Sequence, residues 1–462
     1  MSLEAYKYCL PTYFLWGVSL MVLDPLDVLR RLVAVNTVNS PEQGLKCGGE
    51  AANLILEMFS SVGVKGEVLE CNGFYSVFGV LGGGRPVTMF LAHFDTVPVN
   101  PSEWKFNPFE LTVVGNRGYG RGSVDDKGNV AAIMCAVERL VKRGFKGTLI
   151  YAFTGDEEIG GVNGARAVRD RLLELGLKPD YLVNGDGHGM QVIVRRRCGF
   201  SVRVSVPAAR RVVRGVRFTR RFNVETPVYE TRHAAYFMPG VDLHPLIAAS
   251  YYLRLNPDLH VAGLRGDFSK SNVLPGFVEL DLVSLDEHGE LLEVDDSLSN
   301  LLRSIVPLVR APLKPELYSD FGVSITPNYY RFSDGVHSLV FDVRAMSGDA
   351  GFLEPLRGVL ARNLPGGGVE FRGGAGYLYT DEGEDIVRFA LEVLGGLGVG
   401  GLAVEACGAS DSRFYAPIGV KCIDFGPRGG GIHGPNEYVE IDSLYKTVDF
   451  YGNLYLKLSR SI

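Results

Sequence analysis

Apolar positions recur along this chain with two periods, and the two alternate. Residues 25–35 place Leu26, Val28, Leu29, Leu32 and Val33 on one stripe at helical spacing. Glu50–Val62 repeats the pattern, with Ala52, Leu54, Ile55, Met58 and Phe59 inward. Strands are predicted at Lys65–Leu69, Phe74–Val80 and Val87–Leu91. The largely apolar runs Thr148–Phe153 and Tyr181–Asn184 suit strands covered on both faces. Helices over 127–143 and 163–175 fall between them. Such alternation specifies an α/β domain, whose functional residues gather beyond the carboxyl ends of its strands.

The texture changes after residue 200. Val202–Val206, Phe277–Leu282, Val323–Arg331, Ser338–Val343 and Gly368–Arg372 read as strands. His244–Leu255, Ser297–Val309 and Gly351–Asn363 read as helices. Their order suits a small β-α-β-β-α-β unit with an insertion of roughly residues 260–320 after its first helix. The basic run Arg210, Arg211, Arg214, Arg217, Arg220 and Arg221 reads as a solvated hairpin, and Arg195-Arg196-Arg197 as solvated too. A helix at Asp385–Leu394 and apolar strands at Ala403–Glu405 and Lys421–Phe425 then restore the first pattern. The expected fold class is α/β: a mixed central sheet flanked by helices, interrupted by an α+β ferredoxin-like domain. Residues 1–20 are expected to be an N-terminal extension, 21–200 with 375–462 the catalytic domain, and 201–374 the inserted one.

Composition narrows the function. With 46% hydrophobic and 22% charged residues, the chain is an ordinary globular protein with room for two or three domains. A net charge of −6 argues against nucleic acid or an anionic membrane as partner. Seven cysteines at scattered spacing, without a CxxC, suit reduced thiols in a cytoplasm. Residues 1–20 are interrupted by Pro11, lack a basic start and are too short to span a membrane.

The candidate chemistry lies at strand ends. Val87–Leu91 runs into His93 and Asp95, which point to one face, and a carboxylate beside a histidine suits a metal-ligating imidazole. Gly120-Arg-Gly-Ser-Val-Asp125-Asp126-Lys127-Gly128 sets two acids before a helix; alone they read as an N-cap, and their place after the His93 loop makes them candidates for the site. Asp156, Glu157 and Glu158 follow the apolar strand Thr148–Phe153, and their mutual repulsion calls for a cation. Asp186 follows another strand, and His433 stands in the glycine-rich loop Gly426–Glu437. Histidine and carboxylate without thiol suit zinc, cobalt or manganese, and a carboxylate is able to bridge two ions. Gly395–Gly401 is a loop with no dinucleotide fingerprint. His244, His260, His288 and His337 show no partners in sequence and read as surface or structural residues.

In this order, and with Gly408-Ala-Ser-Asp411-Ser-Arg413 before the last histidine, residues 21–460 resemble the M20 metallopeptidase family. That family includes carboxypeptidase G-type enzymes, aminoacylases, dipeptidases, acetylornithine deacetylase and succinyl-diaminopimelate desuccinylase. The resemblance implies metal-dependent hydrolysis of a peptide or N-acyl amide bond next to a free carboxylate. Dipeptidase or carboxypeptidase activity is placed ahead of N-acyl amino acid deacylation. Two divalent ions are implied, zinc first, with cobalt or manganese as substitutes. His93 and Asp186 would bind one, Glu158 and His433 the other, and Asp125 both. Asp95 would orient His93, and Glu157 would be the general base on the water the ions share. Arg413 would grip the substrate carboxylate. His233, in the lid-like segment Thr231–Pro239, would stabilise the oxyanion. A cis peptide is implied at Asp125-Asp126. A non-catalytic binding homologue is the competing class, and Glu157 argues against it, since binding alone needs no base. Two segments compete for the family's lid Asn-x-Ile-Pro: Asn272-Val-Leu-Pro275 and, preferred because a strand pair follows, Ile325-Thr-Pro327. His188 departs from the family pattern and reads as a solvent residue or a neighbour of the ligands. The resemblance allows a homodimer through the inserted domain, or a monomer served by the enlarged insertion.

Overall fold

The computed structural model describes residues 22–228 and 232–460. The expected extension at 1–20 and Thr231 lie outside the described residues. Two compact units share the chain. One comprises the described residues up to Val192, Asp381–Ala403 and the stretch from Val420 onward; the other comprises Ile193–Thr380 and Val404–Gly419.

The first unit opens with α1 (Pro25–Val33), started by the Asp24 carboxylate, which accepts from the amides of Leu26 and Asp27. It buries Val28, Leu29, Leu32 and Val33, the stripe its spacing predicts. After α2 (Glu50–Ser61) come β1 (Glu67–Cys71), β2 (Phe74–Gly83) and β3 (Val87–His93), then α3 (Lys127–Arg143), β4 (Gly147–Thr154), α4 (Ala165–Glu174) and β5 (Tyr181–Asn184). Every position of β3 is buried, so both faces of the sheet are covered there. β3 lies between β4 and β5 and runs parallel to both. The chain therefore leaves β3 toward one side, through α3, and returns past it to the other, through α4. That reversal opens a crevice at the carboxyl end of β3.

The second unit holds two four-stranded antiparallel sheets. Its strands are β6 (Cys198–Pro207), β7 (Arg210–Asn223), β8 (Leu259–Gly266), β9 (Phe277–Leu285), β10 (Glu290–Asp295), β11 (Ser324–Ser333), β12 (Val336–Ala345) and β13 (Gly368–Gly373). One sheet has the order β11-β12-β6-β13, the arrangement a β-α-β-β-α-β chain gives; the other has the order β8-β9-β7-β10. Helices α5 (Pro245–Leu255), α6 (Asp296–Val309) and α7 (Pro355–Asn363) complete it. Leu253, Leu301 and Leu360 from the helices join Val204 and Phe341 of one sheet and Leu280 of the other in a single apolar cluster.

Two expectations are corrected here, and for His244 and His337 the reading as surface or structural residues resolves to structural. The basic run from Arg210 is one fourteen-residue strand, not a hairpin: β7 pairs with β9 along one edge and β10 along the other. Arg196 and Arg197 are buried, not solvated. Two of the histidines without partners in sequence are buried and paired. His244 caps α5, its Nδ1 accepting from the Leu246 amide, with Nε2 3.1 Å from Asn328 Oδ1. His337 Nε2 stands 2.9 Å from Asp295 Oδ2, with the Tyr330 hydroxyl 2.8 Å from Nδ1.

Returning to the first unit, the chain forms α8 (Asp385–Gly396), β14 (Lys421–Asp424) and α9 (Ile441–Leu458). β14 lies parallel to β5, which gives the order β1-β2-β4-β3-β5-β14. α9 packs on α1, α3 and α8. A small antiparallel sheet joins Arg117–Tyr119 to Tyr438–Glu440, two segments that flank the loops described next. Mixed sheet, flanking helices and separate antiparallel sheets together are the α/β class expected. No helix among the described residues is long and apolar enough to cross a membrane.

Candidate metal centre

Four loops leave the carboxyl ends of parallel strands or enter α3, and they bring His93, Asp125, Glu158 and His433 together. His93 ends β3 and Asp125 precedes α3; Glu158 follows β4, and His433 follows β14. His93 Nε2 lies 3.1 Å from Asp125 Oδ1, and His433 Nε2 lies 3.0 Å from Asp125 Oδ2 and 3.1 Å from Glu158 Oε1. Donor atoms of Asp125, Glu158 and His433 fall within 4.8 Å of one another. The peptide between Asp125 and Asp126 is cis, as the resemblance implies. His433 has a left-handed backbone, φ 59°, unusual for a residue with a side chain.

Buried polar groups fix these loops. Asp95 has its carbonyl 3.1 Å and its Oδ1 3.3 Å from His93 Nδ1. Its Oδ1 also accepts from the Glu157 amide, and its Oδ2 from the Glu158 amide and from Asn39 Nδ2. One carboxylate thus ties the histidine at the end of β3 to the acids after β4. Glu437, fully buried, does the same across the chain's length. Oε1 accepts from the amides of Val124 and Asp125, and Oε2 from Gly122 N and, at 2.6 Å, Arg121 Nη1. Arg121 Nη2 donates to Gly434 O. Asp126 Oδ2 accepts from the His93 amide, and its Oδ1 from Asn129 Nδ2, which also donates to Gly185 O. Glu437, Arg121, Asn39 and Asn129 gave no functional signal in the sequence.

Asp186 follows β5, whose Asn184 pairs with Leu91 of β3, and its charge acts on Asp126. A Cβ at Gly187 would lie 2.5 Å from the Phe425 amide nitrogen, so the backbone beside Asp186 passes β14 only as glycine. His188 is exposed. The other two site candidates lie in the second unit. His233 opens a short turn, Ala234–Tyr236, and its Nδ1 accepts from the Ala235 amide. Of the two lid candidates, Asn272 is the one at this histidine: its Nδ2 stands 3.3 Å from His233 Nε2 and its carbonyl accepts from Ala234 N. That reverses the preference for Ile325-Thr-Pro327, which lies within β11. Arg413 sits in the turn Asp411–Phe414, its Nη2 3.6 Å from Asp411 Oδ1.

The sequence profile of peptidase family M20/M25/M40 matches residues 89–457. The chain belongs to this family. It is therefore a hydrolase of amide bonds. Succinyl-diaminopimelate desuccinylase of Stenotrophomonas maltophilia is 24% identical over 443 residues, 94% of this chain and 98% of that one. Among solved structures, aminoacylhistidine dipeptidase of Vibrio alginolyticus superposes with a TM-score of 0.65 at 16% identity, covering 93% of this M20 chain and 96% of its own. An M20 family metallo-carboxypeptidase of Sulfolobus solfataricus gives 0.61 at 18%, covering 94% and 99%. At these identities the solved structures bear on the fold alone.

The M20 site fits divalent cations on its own chemistry. Both oxygens of Asp125 face a histidine nitrogen, an arrangement that needs a hydrogen-bond donor or a cation on each side of the carboxylate. Burial opposes a charged His93, but hydrogen bonds to Asp125 and Asp95 outweigh it and hold the imidazole well above its usual range. Burial likewise opposes His433, and the charge of Glu158 with bonds to Asp125 and Glu158 reverses the balance. Burial would raise Asp125, yet the two histidines hold it well below the carboxylate range. Burial pushes Glu158 up, with His433 opposing. Nitrogen and carboxylate oxygen without thiolate is a donor set for divalent metal ions.

Proposed function

We propose that the protein is a dipeptidase- or carboxypeptidase-type enzyme, cleaving the amide bond next to a free carboxylate in a small peptide. The observation that carries this reading is the Asp125 carboxylate, set between His93 and His433 with Glu158 on the latter. His93 and Asp186 would hold one ion, Glu158 and His433 the other, and Asp125 both, with zinc ahead of cobalt and manganese. Two such cations, when bound, polarise the scissile carbonyl and acidify water. Glu157 takes the proton from the attacking water and returns it to the leaving amine. Its backbone is pinned to Asp95, as is that of Glu158, so adjacent acids divide the roles of base and ligand. Arg413 receives the substrate carboxylate with a planar fork, and His233 donates to the developing oxyanion. Glu157→Gln should lower kcat by about 10²–10⁴-fold with metal content unchanged. An unchanged kcat in metal-loaded protein would refute the assignment.

A second reading, N-acyl amino acid deacylation, is favoured by the full-length relative named as a desuccinylase. Assaying dipeptides against N-acetyl and N-succinyl amino acids, with zinc, cobalt and manganese each added, separates the two. Turnover of N-acyl substrates alone selects the second. No disulfide links the described cysteines, which supports a cytoplasmic location. Pairing of two copies through the second unit, which the resemblance allows, is tested by sedimentation equilibrium.

A further inference from the structure

Arg197 has no exposed surface. Its Nη2 donates to Ala235 O at 2.8 Å, and its Nη1 to Ser324 Oγ at 3.2 Å and Gly322 O at 3.5 Å. The guanidinium also lies over the Phe321 ring, 5.2 Å from its centroid. The Cys407 thiol is a further partner, and the charges of Glu405 and Asp342 offset part of the cost of burying this guanidinium; one of the segments it fixes is the turn after His233. The amide of that same Ala235 donates to His233 Nδ1 at 3.2 Å. A neutral imidazole that accepts at Nδ1 carries its proton on Nε2, and the Asn272 amide, 3.3 Å away, then meets that proton with Oδ1 rather than Nδ2.

We infer that Arg197 is a positioning residue for hydrolysis: by anchoring Ala235 it holds His233 in the tautomer and orientation that make Nε2–H a donor. The inference rests on the reading of His233 as the oxyanion donor. Asn272 closes the turn from the other side, its carbonyl taking the Ala234 amide. Arg197 is thus joined to the reaction through two hydrogen bonds, and its removal should loosen His233 without touching substrate.

The test is a double-mutant cycle on metal-loaded full-length enzyme. His233→Gln should lower kcat about 10²-fold. Arg197→Met should lower kcat by about tenfold or more, with KM little changed and metal content intact. The double variant should be no slower than His233→Gln alone, because the two act as one unit. Arg197→Lys, with the charge but not the fork, should recover part of the loss. Multiplying losses, or full kcat in Arg197→Met beside a slow His233→Gln, would overturn the role of Arg197. Full kcat in His233→Gln would instead overturn the reading of His233. If Arg197→Met does not fold, Arg197→Lys carries the test. Ring-nitrogen chemical shifts then report the His233 tautomer, Nε2–H in the parent and mixed in the variant. An unchanged tautomer with unchanged kcat defeats the inference.

Discussion

Replacing Glu437 by alanine would take the ion-pair partner from the buried Arg121 guanidinium and the acceptor from three backbone amides. Breaking a buried pair from one side costs about 3–5 kcal/mol, so the urea midpoint of Glu437→Ala should fall accordingly. Glu437→Gln, which keeps the shape, should lose less. Because Glu437 holds the Asp125 amide and Arg121 the Gly434 carbonyl, metal affinity should also drop, by about 10–100-fold in a chelator competition. The sequence exposed some of these residues and concealed others. His93, Asp125, Glu158 and His433 stood out because imidazoles and clustered acids at the ends of apolar strands are costly without a cation. Glu437 sat inside a conspicuous glycine-rich motif, yet its partners are mostly backbone N–H groups, which no side-chain type announces. Asn39 acts on Asp95, 56 residues away, a proximity created only by the fold. Arg197 read as one of three solvated arginines, since nothing in a short basic run tells which member is buried.

At the scale of the element, α5 carries a pH sensitivity of its own. His244 caps it through Nδ1 and keeps its proton on Nε2, toward Asn328. Burial pushes its pKa down to about 4, with the Asn328 bond opposing. The unfolded chain takes up a proton near the ordinary value, roughly 6.5, while the folded chain refuses it. This contribution is constant above that pH and falls as pH drops toward 4. By pH 5 the loss should reach roughly 2 kcal/mol. In urea titrations at pH 7 and pH 5, His244→Asn, which retains a capping oxygen, should show a flatter difference than the parent. Elements with clean periodicity were legible: α3 spans the predicted 127–143, and β3 extends the predicted strand by two residues to His93. β8 and β10 were not. β8 contains two glycines and a register shift between Val261 and Gly263, which erase the alternation. β10 runs directly into α6, so its leucines read as part of neither.

For the whole molecule, the proposed ligands all belong to one unit. Stripping divalent ions should therefore act locally. Hydrogen exchange after chelation should accelerate in the loops bearing His93, Asp125, Glu158 and His433, with β6–β13 unchanged. An ion present at a thousand times its Kd contributes about 4 kcal/mol, and that is the scale of the local loss. The α/β class and the interruption were readable because apolar strands stop and resume; the second four-stranded sheet was not, because its long basic strand β7 read as a hairpin, β8 is irregular and β10 merges into α6. The pairing of Tyr181 in β5 with Lys421 in β14 bears on how the protein is made. A ribosome adding about 5–20 residues per second leaves the open edge of β5 waiting on the order of ten to fifty seconds for its neighbour. His433 and Glu437 emerge later still. A nascent chain cut short anywhere before them has most of a sheet but lacks one of the proposed ligands, so on the proposed assignment an interrupted product should be inert toward amide substrates.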